Sequence, residues 1–150
     1  MCKIENNQFG TADDIDFSQI INNKILQFEE AIAMKNISVH SSLAKVNVMI
    51  HPMLADIIVS NLVSNAIRYT PEKGNIILEL NNSFFKICNE GAPLKAKNQE
   101  LFSRFYKEHE DSTSTGLGLA LVKQIALINN HDINYAYINS SHIFTYFFKN

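Results

Sequence analysis

Residues 51–71, HPMLADIIVSNLVSNAIRYTP, constrain the fold more than any other stretch of this chain. Pro52 suits a first helical turn and Pro71 closes the pattern, so the run between them reads as one long helix. Ile58, Val59, Leu62, Val63 and Ala66 gather on one side of it. A helix with such a stripe must bury it against another layer of structure.

The rest of the chain supplies that layer. Phe17, Ile20, Ile21, Ile25, Phe28 and Ile32 recur at helical spacing and predict an amphipathic helix from Phe17 to about Lys35. ISVHSSL and KVNVMI read as short strands. TPEKGN is a turn, and NIILEL and SFFKICN form a hairpin around NNS. A third helix begins in TGLGLALVKQIALI, and INYAYINS with HIFTYFFK closes the chain as another hairpin. The order predicts an α/β fold: a two-layer sandwich, its mixed sheet of about five strands covered on one face by about three helices. Residues 1–16 are polar and expected to be loosely ordered, leaving 17–150 as the domain. The mostly polar stretch after residue 90 is long for a compact domain, which marks a functional lid or a disordered segment.

Composition narrows the function. The chain has 150 residues, 46% of them hydrophobic, enough for one core. A formal net charge of -2 gives no basic footprint for nucleic acid. No apolar run approaches the roughly 20 residues of a membrane span, and no leader pattern opens the chain. Two cysteines, Cys2 and Cys88, make no disulfide framework and are expected to be free thiols in a reducing compartment. The expectation is a soluble, cytoplasmic protein.

Three places carry candidate chemistry. Asn61, Asn65 and Arg68 fall within about 60° of one another on the long helix, beside its apolar face. Asparagine is a mediocre helix former, so two of them mid-helix need a reason. The stripe is either a solvated face or a site: an amide oxygen suits magnesium, and Arg68 could pair with a phosphate. In STSTGLGLALVKQ, Gly116 and Gly118 precede a helix that Thr115 or Ser114 could cap. The turn is either a capped helix start with small residues or an anion site. It matches neither the dinucleotide fingerprint nor the P-loop. In FFKICNEGAPL an apolar strand ends at Asn89, either an ordinary turn residue or an amide able to read an adenine edge. LFSRFYK places Phe102, Phe105 and Tyr106 as anchors in a polar loop.

Taken in order, these segments resemble the catalytic ATP-binding domain of sensor histidine kinases, in the superfamily shared with gyrase and HSP90-type ATPases. NLVSNAIRYTP resembles the N box, NEGAPL the first glycine box, LFSRFYK the F box and STGLGLALVK the second glycine box. The resemblance implies ATP and Mg²⁺ as cofactors, held between the N-box helix and a lid at about 92–115. It implies Asn65 as the magnesium ligand, with Asn61 near the metal and phosphates. Arg68 is implied to contact phosphate, Tyr69 the nucleoside and Asn89 the base, with Gly91 beside it. Lys107 is implied to reach the γ-phosphate, and with Arg68 to serve the transfer. Thr115, Gly116, Leu117, Gly118 and Leu119 would turn their backbone toward the phosphates.

The sequence also departs from the family. Asn89 and Pro93 replace the usual aspartate and second glycine of the first glycine box. None of the five histidines sits in a phosphoacceptor box. The chain is therefore expected to be a monomeric piece of a longer, membrane-anchored kinase, with residues 1–16 the tail of a dimerisation helix. Its partner would be the histidine-bearing dimerisation domain, and indirectly a response regulator. Alternatives are a degenerate module with weak nucleotide binding and an ATPase of the gyrase type. Such ATPases carry a glutamate base at the position of Asn61. Asn89, able to rotate its amide, is expected to discriminate ATP from GTP weakly.

Overall fold

The computed structural model describes residues 12–94, 101–102 and 118–148. The long helix forms as its prolines require, over Pro52–Tyr69. His51 precedes it, and its Nδ1 accepts from the Met53 amide at 3.1 Å. At the far end the Thr70 hydroxyl donates to the Ala66 carbonyl. The Lys35 ammonium donates to the Ile67 and Arg68 carbonyls, at 2.8 and 3.1 Å. Carbonyls left open at a helix end are thus satisfied by a cation, the sign the helix dipole favours there. Ile58, Val59, Leu62, Val63 and Ala66 are all buried.

In chain order the elements are β1 (Asp13–Asp16), α1 (Phe17–Gln27), α2 (Glu29–Met34), β2 (Ser38–Leu43), β3 (Asn47–Ile50), α3 (Pro52–Tyr69), β4 (Asn75–Leu80), β5 (Phe84–Glu90), α4 (Gly118–Ile128), β6 (Asp132–Ile138) and β7 (Ser141–Phe147). The five-stranded sheet runs β2-β4-β5-β7-β6. The β2–β4 pair is parallel and the others are antiparallel, so the sheet is mixed. Alternation sends Ile76, Leu78 and Leu80 inward from β4, and Phe85, Ile87 and Asn89 from β5. His142, Phe144 and Tyr146 of β7 continue those rows. α1, α3 and α4 cover this inner face, as the alternating pattern predicts. Phe17 opens α1 fully buried, its ring 5.9 Å from Phe85 and 5.0 Å from Phe148. The outer face keeps polar pairs such as Lys86–Glu79 at 3.1 Å.

Two expectations need correction. Asp13–Asp16, expected to be loosely ordered, form β1 and pair antiparallel with Asn47–Ile50 in a separate two-stranded sheet. Ordered structure thus begins before Phe17, and KVNVMI serves this small sheet rather than the main one. The single helix expected to Lys35 is broken at Phe28, whose amide is shared by the Lys24 and Ile25 carbonyls. Lys24, nearly buried on α1, is neutralised by Asp56 of α3 at 2.8 Å and bonded to Gln27 at 3.0 Å. Asn36 then takes a left-handed φ of 53° after α2 and turns the chain into β2.

Candidate nucleotide site

Helix α3 connects every described part of the site. Asn61 is half-buried and donates its amide to the Ile57 carbonyl at 2.8 Å, which leaves Oδ1 turned toward α4. A Cβ placed on Gly118 would lie 2.5 Å from that oxygen. Gly118 thus begins α4 where only a hydrogen fits. Further along the helix, Arg68 donates Nη1 to Asn65 Oδ1 at 3.3 Å, on the exposed side. The guanidinium carbon stands 5.9 Å from the Tyr69 ring centroid. Asn65 and Arg68 therefore share one accessible face, beside the helix start that Asn61 touches.

The other end of α3 meets β5. A Cβ on Gly91 would approach the Tyr69 carbonyl at 3.2 Å and the His142 ring at 3.1 Å. Asn89, two residues earlier, is 4% exposed and faces the helices, as its place on the strand predicts. Its Nδ2 donates to the Glu90 carbonyl at 3.2 Å. That carbonyl can only accept, so the amide is held with its NH₂ toward Glu90. Asn89 is not the freely rotating amide the sequence reading expects. Its oxygen is the atom left for an outside donor.

Glu90 turns to the opposite face and fixes the neighbouring β4 end. Its Oε1 accepts from both the amide and the side chain of Asn75, at 2.7 and 2.8 Å. Leu119 packs part-buried against the core. Leu101 is buried and Phe102 packs edge-on against Phe144 at 6.3 Å, in keeping with an anchoring role for the F-box segment. Lys107, Thr115, Gly116 and Leu117 lie outside the described residues, as do Phe105, Tyr106, Cys2 and most of the expected lid. Cys88 is a free thiol whose pKa burial raises, partly offset by Lys86. Among the described residues no group of three or more His, Cys, Asp or Glu could hold a metal. A metal held by one amide and a ligand's phosphates needs no such group.

The chain matches the family model for histidine kinase-, DNA gyrase B- and HSP90-like ATPases over residues 51–147. The chain belongs to this family. The match includes α3, Asn89, Gly91 and the start of α4. Heme sensor protein HssS of Staphylococcus aureus is 40% identical over 86 residues, 54% of this chain and 19% of that protein. The chain thus spans about a fifth of the length of the curated relatives it matches. The nucleotide-free catalytic domain of histidine kinase ThkA superposes with a TM-score of 0.82 at 22% identity, over 91% of this chain and 94% of that one. Acinetobacter baumannii histidine kinase AdeS superposes with a TM-score of 0.76 at 25% identity, over 92% and 66%. ThkA has also been solved with the response regulator protein TrrA. The chain has the fold of a histidine kinase catalytic domain.

Sequence reasoning did not single out Lys35 or the cluster of Tyr135, Tyr137 and His142 behind Gly91. The alternation in SHIFTYF carried a signal, since it sets His142 on the same inward face as Phe144 and Tyr146.

Proposed function

We propose that this chain is the ATP-binding catalytic domain of a two-component sensor histidine kinase, donating the γ-phosphoryl of ATP to a histidine on a separate dimerisation domain. One observation carries the reading. Asn61, Asn65 and Arg68 form a single stripe on α3, and the stripe meets the glycine that opens α4. These residue types fit the ligand. Asn65 offers a neutral oxygen for magnesium, Arg68 a cation for phosphate, and the start of α4 backbone amides for an anion. Asn89, itself nearly buried, offers an amide oxygen that can accept from an adenine amino group. Lys107, Thr115, Gly116 and Leu117 are proposed to complete the phosphate contacts. Magnesium would supply charge neutralisation along the phosphates; positioning falls to the chain.

Asn61 favours a kinase over an ATPase. Its amide cannot take a proton from water at neutral pH, and its NH₂ is already engaged with Ile57. Hydrolysis without an acceptor histidine is therefore slow. The proposed partners are that dimerisation domain and, through it, a response regulator. Among the described residues no helix is long and apolar enough to cross a membrane. The proposal is a cytoplasmic domain of a membrane-anchored parent.

Titration with a fluorescent ATP analogue tests the reading, with and without magnesium. Wild type binds more tightly with magnesium, and Asn65→Ala loses that increment while its melting temperature is kept. Equal affinities under all conditions contradict it.

A further inference from the structure

Residues 91 and 92, which lead the chain out of β5, are clamped to β6 and β7 by side chains. His142 is 4% exposed and pairs directly with Asn89 across the β5–β7 ladder. Its Nε2 lies 2.8 Å from the Ala92 carbonyl, and its Nδ1 lies 2.7 Å from the Tyr135 hydroxyl. A carbonyl only accepts, so Nε2 carries the proton. In the neutral ring Nδ1 then accepts from Tyr135. Two residues along β6 from Tyr135, Tyr137 donates its hydroxyl to the Gly91 carbonyl at 2.9 Å. Two successive carbonyls are thus fixed by two aromatic side chains. The His142 ring lies against the rings of both Tyr135 and Tyr137, with centroids at 5.9 and 4.9 Å. A Cβ on Gly91 would meet both this ring and the Tyr69 carbonyl, so the position admits no side chain without a shift.

This arrangement has a chemical consequence for Asn89. The Glu90 carbonyl that orients the Asn89 amide belongs to the peptide joining Glu90 to Gly91. The Gly91 amide of that same peptide donates to the Ser140 carbonyl at 3.1 Å, and the Tyr137 and His142 bonds hold the two carbonyls that follow. The backbone is thus tied down on both sides of Gly91, whose two soft torsions would otherwise leave it free. Pro93 restricts Ala92 to extended backbone, so the exit is constrained from the other direction as well. We propose that His142, with Tyr137, is a positioning residue for nucleobase recognition: the pair holds Gly91 and Ala92 so that Asn89 presents its oxygen to the base. The inference rests on the proposed function, since it assigns a base to the Asn89 pocket.

The test separates base from phosphate binding. Affinities for Mg-ATP and for magnesium tripolyphosphate are measured on wild type, His142→Ala, His142→Gln and Tyr137→Phe, with melting temperatures alongside. His142→Ala weakens ATP binding about tenfold, the effect of one lost well-placed hydrogen bond, and leaves tripolyphosphate binding unchanged. His142→Gln, whose amide nitrogen can reach the Ala92 carbonyl, recovers most of the loss. Tyr137→Phe removes only a hydroxyl and shifts ATP binding the same way by a few fold, so it carries the test if His142→Ala does not fold. The inference is overturned if folded variants bind ATP as wild type does, or if ATP and tripolyphosphate affinities fall together. Wild type that binds tripolyphosphate but not ATP more tightly overturns it too. Wild type that binds neither ligand overturns the proposed function and the inference with it.

Discussion

The amide oxygen of Asn61 stands 2.5 Å from where a Cβ on Gly118 would sit, so the polar stripe of α3 and the start of α4 meet at one atom. The contact predicts strong coupling between the two positions. Gly118→Ala gains helix propensity of about 1 kcal/mol, but it forces Asn61 to move. The obstructing atom is the end of a side chain, so the move is made by rotating Asn61 and giving up its bond to Ile57. The net result is a small destabilisation of about 1 kcal/mol or less. Asn61→Ala removes the obstructing oxygen, so Gly118→Ala costs less in that background. Denaturant melts of both singles and the double measure the coupling. Additive effects contradict the contact.

Base selectivity follows from the orientation of Asn89. With its NH₂ held by Glu90, the oxygen is the atom left to meet a base in the proposed site, and adenine offers an amino group where guanine has an oxygen. ATP is expected to bind more tightly than GTP, and Asn89→Leu to lose most of that preference. Asn89→Asp replaces the donor with an oxygen facing the Glu90 carbonyl, destabilising the domain by about 1–3 kcal/mol at neutral pH. Paired ATP and GTP titrations with thermal melts check all three. Equal binding of both nucleotides by wild type contradicts the orientation.

Much of this was legible in the sequence, for identifiable reasons. The central strands β4, β5 and β7 alternate cleanly, and α3 is bracketed by prolines, so the two layers follow from period and punctuation. The grouping of Asn61, Asn65 and Arg68 follows from helical geometry alone. The fixed amide of Asn89 did not, because it depends on a neighbouring carbonyl whose direction no pattern encodes. Strand β1 has no apolar alternation to mark it, because DDID is mostly charged and its first two residues are exposed. His142 and Lys35 act through backbone carbonyls far away in the chain, and their roles appear only with strand register and helix end in place.

Lys35 is expected to matter more than an exposed lysine. Burial lowers its pKa, yet its ammonium serves the last carbonyls of α3. Lys35→Met keeps the alkyl stem and leaves those carbonyls unpaired. The expected cost is about 1–2 kcal/mol, read by thermal denaturation. No change in melting temperature contradicts the cap.

The His131 Nδ1 lies 2.8 Å from the hydroxyl of the fully buried Tyr146, and burial lowers the His131 pKa below its ordinary 6.5. The unfolded chain therefore takes up a proton that the folded chain resists. This contribution to stability is complete above the unfolded pKa and is lost as pH falls below it. Wild type should lose more stability between pH 7.5 and 5.5 than His131→Gln does. Equal losses contradict a neutral His131 in the fold.

The central claim is phosphoryl transfer to a histidine outside this chain. The chain is incubated with γ-labelled ATP and magnesium, alone and with the histidine-bearing dimerisation domain proposed as its partner. In transfer, the bond from the γ-phosphorus to the β,γ-bridging oxygen breaks and a phosphorus–nitrogen bond to the acceptor imidazole forms, leaving ADP. The account predicts label on the dimerisation domain, none on this chain and little free phosphate when the chain is alone. Rapid phosphate release by the chain alone, with no labelled histidine, would contradict it.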